Sequence, residues 1–180
     1  MTGEQNSPDG GYRYWQQYRT VLAGSRICLA IMFNPTGKNR MPGEYGRTIR
    51  TCLRFAEQYE CAVLRTCNLF ARKDYPDGEN CALLPDPPDP VEIRRENDGH
   101  IAAEIAKADI ILCAWGDVGS KRTTEARARE VLALLAEGDT DGKLYALGIN
   151  KSGQPRHPAA RAPVQAVRVR IAGGKLERAR

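Results

Sequence analysis

Two histidines occur in the 180 residues, and one of them, His157, stands between Pro155 and Pro158 in the stretch GINKSGQPRHPAARAP. Proline-fixed loops are common and need carry no chemistry, but an imidazole held on one is aimed at whatever it faces and titrates near neutral pH. Asn34 follows the apolar run RICLAIMF and precedes Pro35. Asn-Pro starts many turns, and an amide oxygen in that place can also hold a water without being a strong base. Asn68 lies near the end of CAVLRTCNLF. Its amide either caps a turn or, with donors and an acceptor in one plane, reads the edge of a nucleobase. Gly37, Lys38 and Arg40 suit a loop near phosphate, but GKNR lacks the GxxxxGK[ST] spacing, so no NTPase is expected. Tyr45 is either a platform for a base or a cover for the next helix, and Trp115 reads as core. Asn97 and Asp98 suit a helix cap and the lining of a site equally well.

The elements that must position these residues alternate. RICLAIMF (26–33), CAVLRTCNLF (61–70), DIILCAWG (109–116) and KLYALGI (143–149) are short apolar runs and read as buried strands. Residues 47–59, 91–108 and 119–137 carry apolar side chains at helical spacing. GYRYWQQYRTVL, from Gly11, reads as a short helix or a strand, and VQAVRVRI (164–171) as an edge strand. Such alternation predicts an α/β fold, a parallel sheet covered on both faces, with ligands bound beyond the carboxyl ends of the strands. The loop 71–90 is long for a compact domain, which marks it as functional or mobile. Residues 1–11 read as disordered, 12–172 as one domain and 173–180 as a basic tail.

Composition narrows the class. A hydrophobic share of 42% and a charged share of 27% are ordinary for a globular chain, and no apolar run approaches the ~20 residues of a membrane span. The polar start MTGEQNSPDGG has no signal-peptide core, so a cytoplasmic protein with no membrane partner is expected. Cys28, Cys52, Cys61, Cys67, Cys81 and Cys113 form no CxxC pair and match no standard ligand spacing, so neither metal nor cofactor is expected. The net charge is +5, and residues 156–180 hold seven Lys or Arg against one acid, Glu177. Clustered positive charge attracts polyanions, or merely keeps a tail in solution.

Taken together, YRYW, FNPT, RTIRTCLRFA, CNLFA, ENDGHI, AWG and GQPRHP resemble a small family of bacterial and phage proteins, from about Tyr12 to Pro158. That family in turn resembles the uracil-DNA glycosylase superfamily. The resemblance implies a three-layer α/β/α fold around a four-stranded parallel sheet, with the active site at the strand ends. It implies that Asn34 positions the attacking water, as the asparagine of the GINPG-type motif does. By the same resemblance Asn68 hydrogen-bonds a flipped base and His157 takes the place of the HPS histidine that faces the leaving base. Phe33, Tyr45 and Asn97 join Asn68 as substrate-binding candidates, and Lys38, Arg40, Lys151, Arg156 and Arg161 as contacts to DNA. Two departures stand out. The first motif carries no aspartate, and Ala159-Ala160-Arg161 replaces a serine-rich wedge.

The expected activity is therefore that of a monomeric DNA glycosylase. It would hydrolyse the N-glycosidic bond of a modified base, such as a glycosylated hydroxymethylcytosine of phage DNA, in antiviral defence. Repair of uracil or damaged bases, a non-catalytic nucleic-acid module on the same fold, and an N-glycosidase of free nucleosides are the alternatives.

Overall fold

The computed structural model describes residues 3–35, 45–73, 89–117, 122–160 and 165–179. The elements are β1 (Gly3–Asn6), β2 (Arg13–Arg19), β3 (Ile27–Met32), α1 (Arg47–Gln58), β4 (Val63–Asn68), α2 (Val91–Lys107), β5 (Ile110–Cys113), α3 (Arg122–Glu137), β6 (Leu144–Ala146), β7 (Val167–Ala172) and β8 (Lys175–Arg178). They form one eight-stranded sheet in the order β1-β2-β4-β3-β5-β6-β7-β8.

The α/β class is as expected, but the sheet is not a four-stranded parallel one. Strands β4, β3, β5 and β6 do run parallel to one another. Antiparallel pairs extend them on both sides, β1 and β2 beyond β4, and β7 and β8 beyond β6. Four of the seven pairings are antiparallel. The physical reason is the edge problem: the antiparallel strands take up the open sides of β4 and β6, and the new edges, β1 and β8, are only four residues each.

Those added strands also correct the reading of both chain ends. The segment taken as disordered, 1–11, contains β1, whose Gln5 pairs with Trp15 of β2. The turn between them is closed by Ser7 N–H donating to Tyr12 O and Gly10 N–H donating to Ser7 O. The segment taken as a basic tail, 173–180, contains β8. Gly173 and Gly174 both have positive φ, 56° and 72°, the conformation of a two-residue hairpin turn whose twist matches its strands. Leu176 then pairs with Ile171 and is buried. The ambiguous aromatic segment is strand β2, in which Trp15 packs on one face of the sheet and Tyr18 on the other.

Alternation along the parallel strands sorts the core into two layers. Leu29, Ile31, Cys67, Ile111 and Cys113 face α2 and α3, with Ile101, Ile105, Val131 and Leu135 packed over them. Cys28, Ala30, Met32, Leu64 and Leu112 face α1, which supplies Cys52, Phe55 and Ala56. Five cysteines, Cys28, Cys52, Cys61, Cys67 and Cys113, are free and buried, and burial pushes the Cys52 and Cys113 thiols up to about 12. Cys81 lies outside the described residues. Arg65, a charge in the central strand β4, stacks 3.9 Å from the Trp15 ring centroid and pairs at 3.6 Å with buried Glu104. Among the described residues no helix is long and apolar enough to cross a membrane.

If β8 belongs to the sheet, Leu176→Ala should lower stability by about 2–4 kcal/mol, the range for truncating a buried leucine. Lys175→Ala, on the exposed side of the same strand, should change it by less than ~0.5 kcal/mol. Urea denaturation measures both, and equal stabilities would return 173–180 to the status of a loose tail.

Candidate functional site

The strand order places a switch in the wiring. From β3 the chain crosses to β4 on one side, then passes back over β3 to β5 on the other. Right-handed crossovers in opposite directions put α1 and α2 on opposite faces, and the loops leaving β3 and β5 diverge. In sheets wired this way ligands bind at the carboxyl ends of these two strands, and Asn34 follows β3 there while His157 lies against Gly116, which follows β5.

On one side is the end of β3. Leu69 N–H donates to Met32 O at 2.8 Å and Phe70 N–H to Phe33 O at 3.0 Å, so pairing with β4 continues up to Asn34. Asn34 is half-buried, and its Nδ2 donates to Pro35 O at 3.3 Å. Its Oδ1 has no partner among the described residues. Phe33 packs edge-on against Phe70, with ring centroids 5.4 Å apart.

Asn68 closes β4 in register with Met32. It is 2% exposed, and its Oδ1 accepts no hydrogen bond among the described residues. An orphaned buried acceptor costs about 1–3 kcal/mol, a cost that a bound partner would remove. The backbone behind it is tied down firmly. Asn97 of α2 donates through Nδ2 to Asn68 O at 3.0 Å and to Leu69 O at 3.3 Å. Arg127 of α3 donates through Nε to Leu69 O at 2.7 Å and pairs with Asp98 at 2.6 Å. Asp89 accepts from Ala71 N–H at 2.7 Å, and burial pushes its carboxyl above the usual range.

Beyond the end of β5, His157 sits on Gly116. A Cβ on Gly116 would lie 2.9 Å from His157 Cβ, and Gly116 has φ +82°, so glycine is required there twice over. Gly148 is similar: its φ is +102°, and a Cβ would lie 3.1 Å from Arg156 Cδ. The loop that carries the histidine is anchored on the core. Trp115, 1% exposed, donates from Nε1 to Gln154 Oε1 at 2.7 Å. Asn150 N–H donates to Gln154 O at 2.8 Å, Arg156 N–H donates to Gly148 O at 2.9 Å, and the Ser152 hydroxyl donates to the Asp117 carboxylate. Trp115 is core, as the sequence suggested, and it is also the hinge pin of this loop.

The imidazole itself is half-buried. Its Nδ1 accepts the Ala159 N–H at 3.1 Å, which requires a lone pair there and leaves the ring proton on Nε2. Burial lowers the pKa below its ordinary value of 6.5, so the neutral ring dominates at neutral pH.

Asn34 and Phe33 thus follow β3 and Asn68 closes the adjacent β4. Asn97, by contrast, is fully buried behind β4 and among the described residues bonds only to its backbone, so it is a support of the strand end and not part of an open surface. His157 and Arg156 lie on the loop packed against Gly116 and Gly148. Tyr45 packs edge-on against Tyr18, 5.4 Å between centroids, on the α1 face of the core. Lys151 is exposed on the His157 loop. Lys38, Arg40 and Arg161 lie outside the described residues. Arg127 and Asp89 were missed. The signal for Arg127 was available: it stands in register with Val131 and Leu135, at positions i, i+4 and i+8 of the buried stripe of α3. A charge on such a stripe needs a dedicated partner. Among the described residues no group of three His, Cys, Asp or Glu is placed to hold a metal. A shallow depression lined by Asp141, Gly142, Arg168 and Arg170 opens at the opposite end of the strands, beside the start of β6.

No curated protein and no solved structure matches the chain. A family described as a protein of unknown function, DUF1643, matches residues 13–159, more than three quarters of the length and every element from β2 to β6. The stretch it covers runs from the strand that borders β4 to the loop that carries His157. The chain belongs to the DUF1643 family.

Proposed function

We propose that this protein is a DNA glycosylase that hydrolyses the N-glycosidic bond of a modified pyrimidine. The observation that carries the reading is the state of His157 beside the end of β5: a neutral imidazole, held through Nδ1, with Nε2–H unpartnered among the described residues. Loss of a base from C1′ leaves the bonding electron pair on the base, so an aimed neutral donor stabilises the departing anion. The orphaned Oδ1 of buried Asn68 suits an N–H on the base edge. Asn34 holds the water through its free Oδ1. In the step itself the C1′–N bond breaks, the water oxygen bonds to C1′, and the water's proton ends on the base by way of solvent. The base must first leave the stack, at a cost of a few kcal/mol that phosphate contacts offset.

The reading takes a bulky pyrimidine of phage DNA as substrate, such as glycosylated hydroxymethylcytosine, and antiviral defence as its setting. The net charge of +5 suits a polyanionic partner. Repair of uracil or damaged bases is the competing specificity. Incubation with uracil-containing, unmodified and phage-modified DNAs, followed by mass spectrometry of released bases, separates the two. Tight binding with no abasic product would favour a non-catalytic module instead.

His157→Ala and Asn34→Ala should each slow excision by ~10²-fold or more, as losses of single transition-state hydrogen-bonding groups do. Full activity in Asn34→Ala would remove the water from that residue. Gly116→Ala should act like the histidine variant, because the added methyl would lie 2.9 Å from His157 Cβ and displace the ring.

The ring also makes stability depend on pH. Its folded pKa lies below the unfolded value of about 6.5, so the contribution of the neutral ring is complete above pH 6.5. It is lost as pH falls through the folded value. His157→Gln should flatten that part of the melting-temperature profile between pH 5 and 7.5. An unchanged profile would mean that the ring is not held neutral.

A further inference from the structure

Of the seven cations counted near the C-terminus, Arg156 stands beside His157 and four lie elsewhere. Arg168, Arg170, Lys175 and Arg178 belong to the β7–β8 hairpin, at the far edge of the sheet. Arg170 is paired with Glu177 at 3.2 Å, and Arg168 lies over the Tyr145 ring and reaches its hydroxyl at 3.5 Å. A different set of cations lies on α1. Helix α1 follows the loop that leaves β3 and returns to the start of β4, so its first turn lies at the carboxyl end of the strands. Arg47, Arg50 and Arg54 stand at i, i+3 and i+7 on that helix, one stripe, and all three are exposed. The stripe is directly opposite the buried side made by Cys52, Phe55 and Ala56. Glu57, in the final turn, is the helix's sole acid, and its Oε1 accepts from Val21 N–H. None of the three arginines forms an ion pair among the described residues.

Local stability does not explain this arrangement. The amino end of a helix is its positive pole, where acids stabilise and cations destabilise. The first turn of α1 has no acid and no side-chain cap, and it begins with Arg47. A polyanion lying along the stripe would reverse the sign of that cost. From Arg47 to Arg54 the helix rises about 10 Å at ~1.5 Å per residue, the axial length of about three phosphates on one DNA strand.

We propose that the Arg47–Arg50–Arg54 face of α1 is a track for the DNA backbone, binding the phosphates that flank the target nucleotide. The choice of DNA rests on the glycosylase reading, while the charge complementarity of the track does not.

The test is fluorescence anisotropy of the full chain with a 20-base-pair unmodified duplex across a range of salt concentrations. The variants are R47Q/R50Q/R54Q and, for comparison, R170Q/K175Q/R178Q on the hairpin. Each lost phosphate contact should reduce the slope of log affinity against log salt by about 0.9, so the α1 triple should reduce it by about 2.7. The hairpin triple should leave the slope intact. The α1 triple should melt at the wild-type temperature or slightly above, because it relieves the first turn, and this separates a lost contact from a lost fold. An unchanged slope in the α1 triple, an equal fall in the hairpin triple, or no DNA binding by the wild type would overturn the proposal. Binding with the expected slope change but no base release from any DNA would leave the track standing and sink the glycosylase reading. Base release with an unchanged slope would do the reverse.

Discussion

A strand hydrogen-bonded to parallel neighbours on both sides, and roofed by helices on both faces, can expose nothing polar until it ends. Strand β3 is in that position, between β4 and β5, with α1 over one face and α2 and α3 over the other. Every residue from Cys28 to Met32 is buried. The first places where polar side chains can appear are therefore the strand ends, and the reversal of the wiring at β3 is where sheets of this kind bind ligands. Asn34, Asn68 and the His157 loop gather there because the interior has no room for them.

Gathering is not the same as fixing. The end of β4 is held from behind by Asn97, Arg127 and Asp89, all buried, all bonded to the backbone of residues 68–71. Burying a guanidinium and a carboxylate is costly, and the cost is met only when their hydrogen bonds are made. These groups set the β4 end in one place, and the Asn68 amide oxygen, like Asn97 Oδ1 and Asp89 Oδ1, accepts no hydrogen bond among the described residues. On the other side, glycine at 116 and 148 lets the loop lie against β5 and β6 closely enough for Trp115 to hold it through Gln154. The β4 end and the His157 loop are thus pinned by unrelated means, a buried polar network and a glycine-mediated close approach.

The surface follows a separate logic. On the β7–β8 hairpin Arg170 is tied to Glu177 and Arg168 to Tyr145, while exposed Lys175 and Arg178 suit an edge that must stay unpaired with other chains. Arg47, Arg50 and Arg54 on α1 form no ion pair among the described residues. A net charge of +5 therefore conceals two populations, and only their placement on the sheet distinguishes them.

Local pattern alone determined much of this protein. The four central strands, the three helices and the sites of Asn34, Asn68 and His157 at their ends were legible, because burial on both faces writes a continuous apolar run and a covering helix writes a period of 3.6. The hairpin signal Gly173-Gly174 between VRVRIA and KLER was present too, but its basic side chains read as a tail. The neutral state of His157, the orphaned oxygen of Asn68 and the buried Arg127 were decided only by tertiary structure. Each depends on atoms distant in sequence, Gly116 under His157, α2 and α3 behind β4. Likewise, the seven cations near the C-terminus read as a polyanion site or a solubilising tail alike, and the topology puts four of them on the edge hairpin and Arg156 beside His157. Charge is a property of residues, but a field at a site is a property of where the sheet puts them.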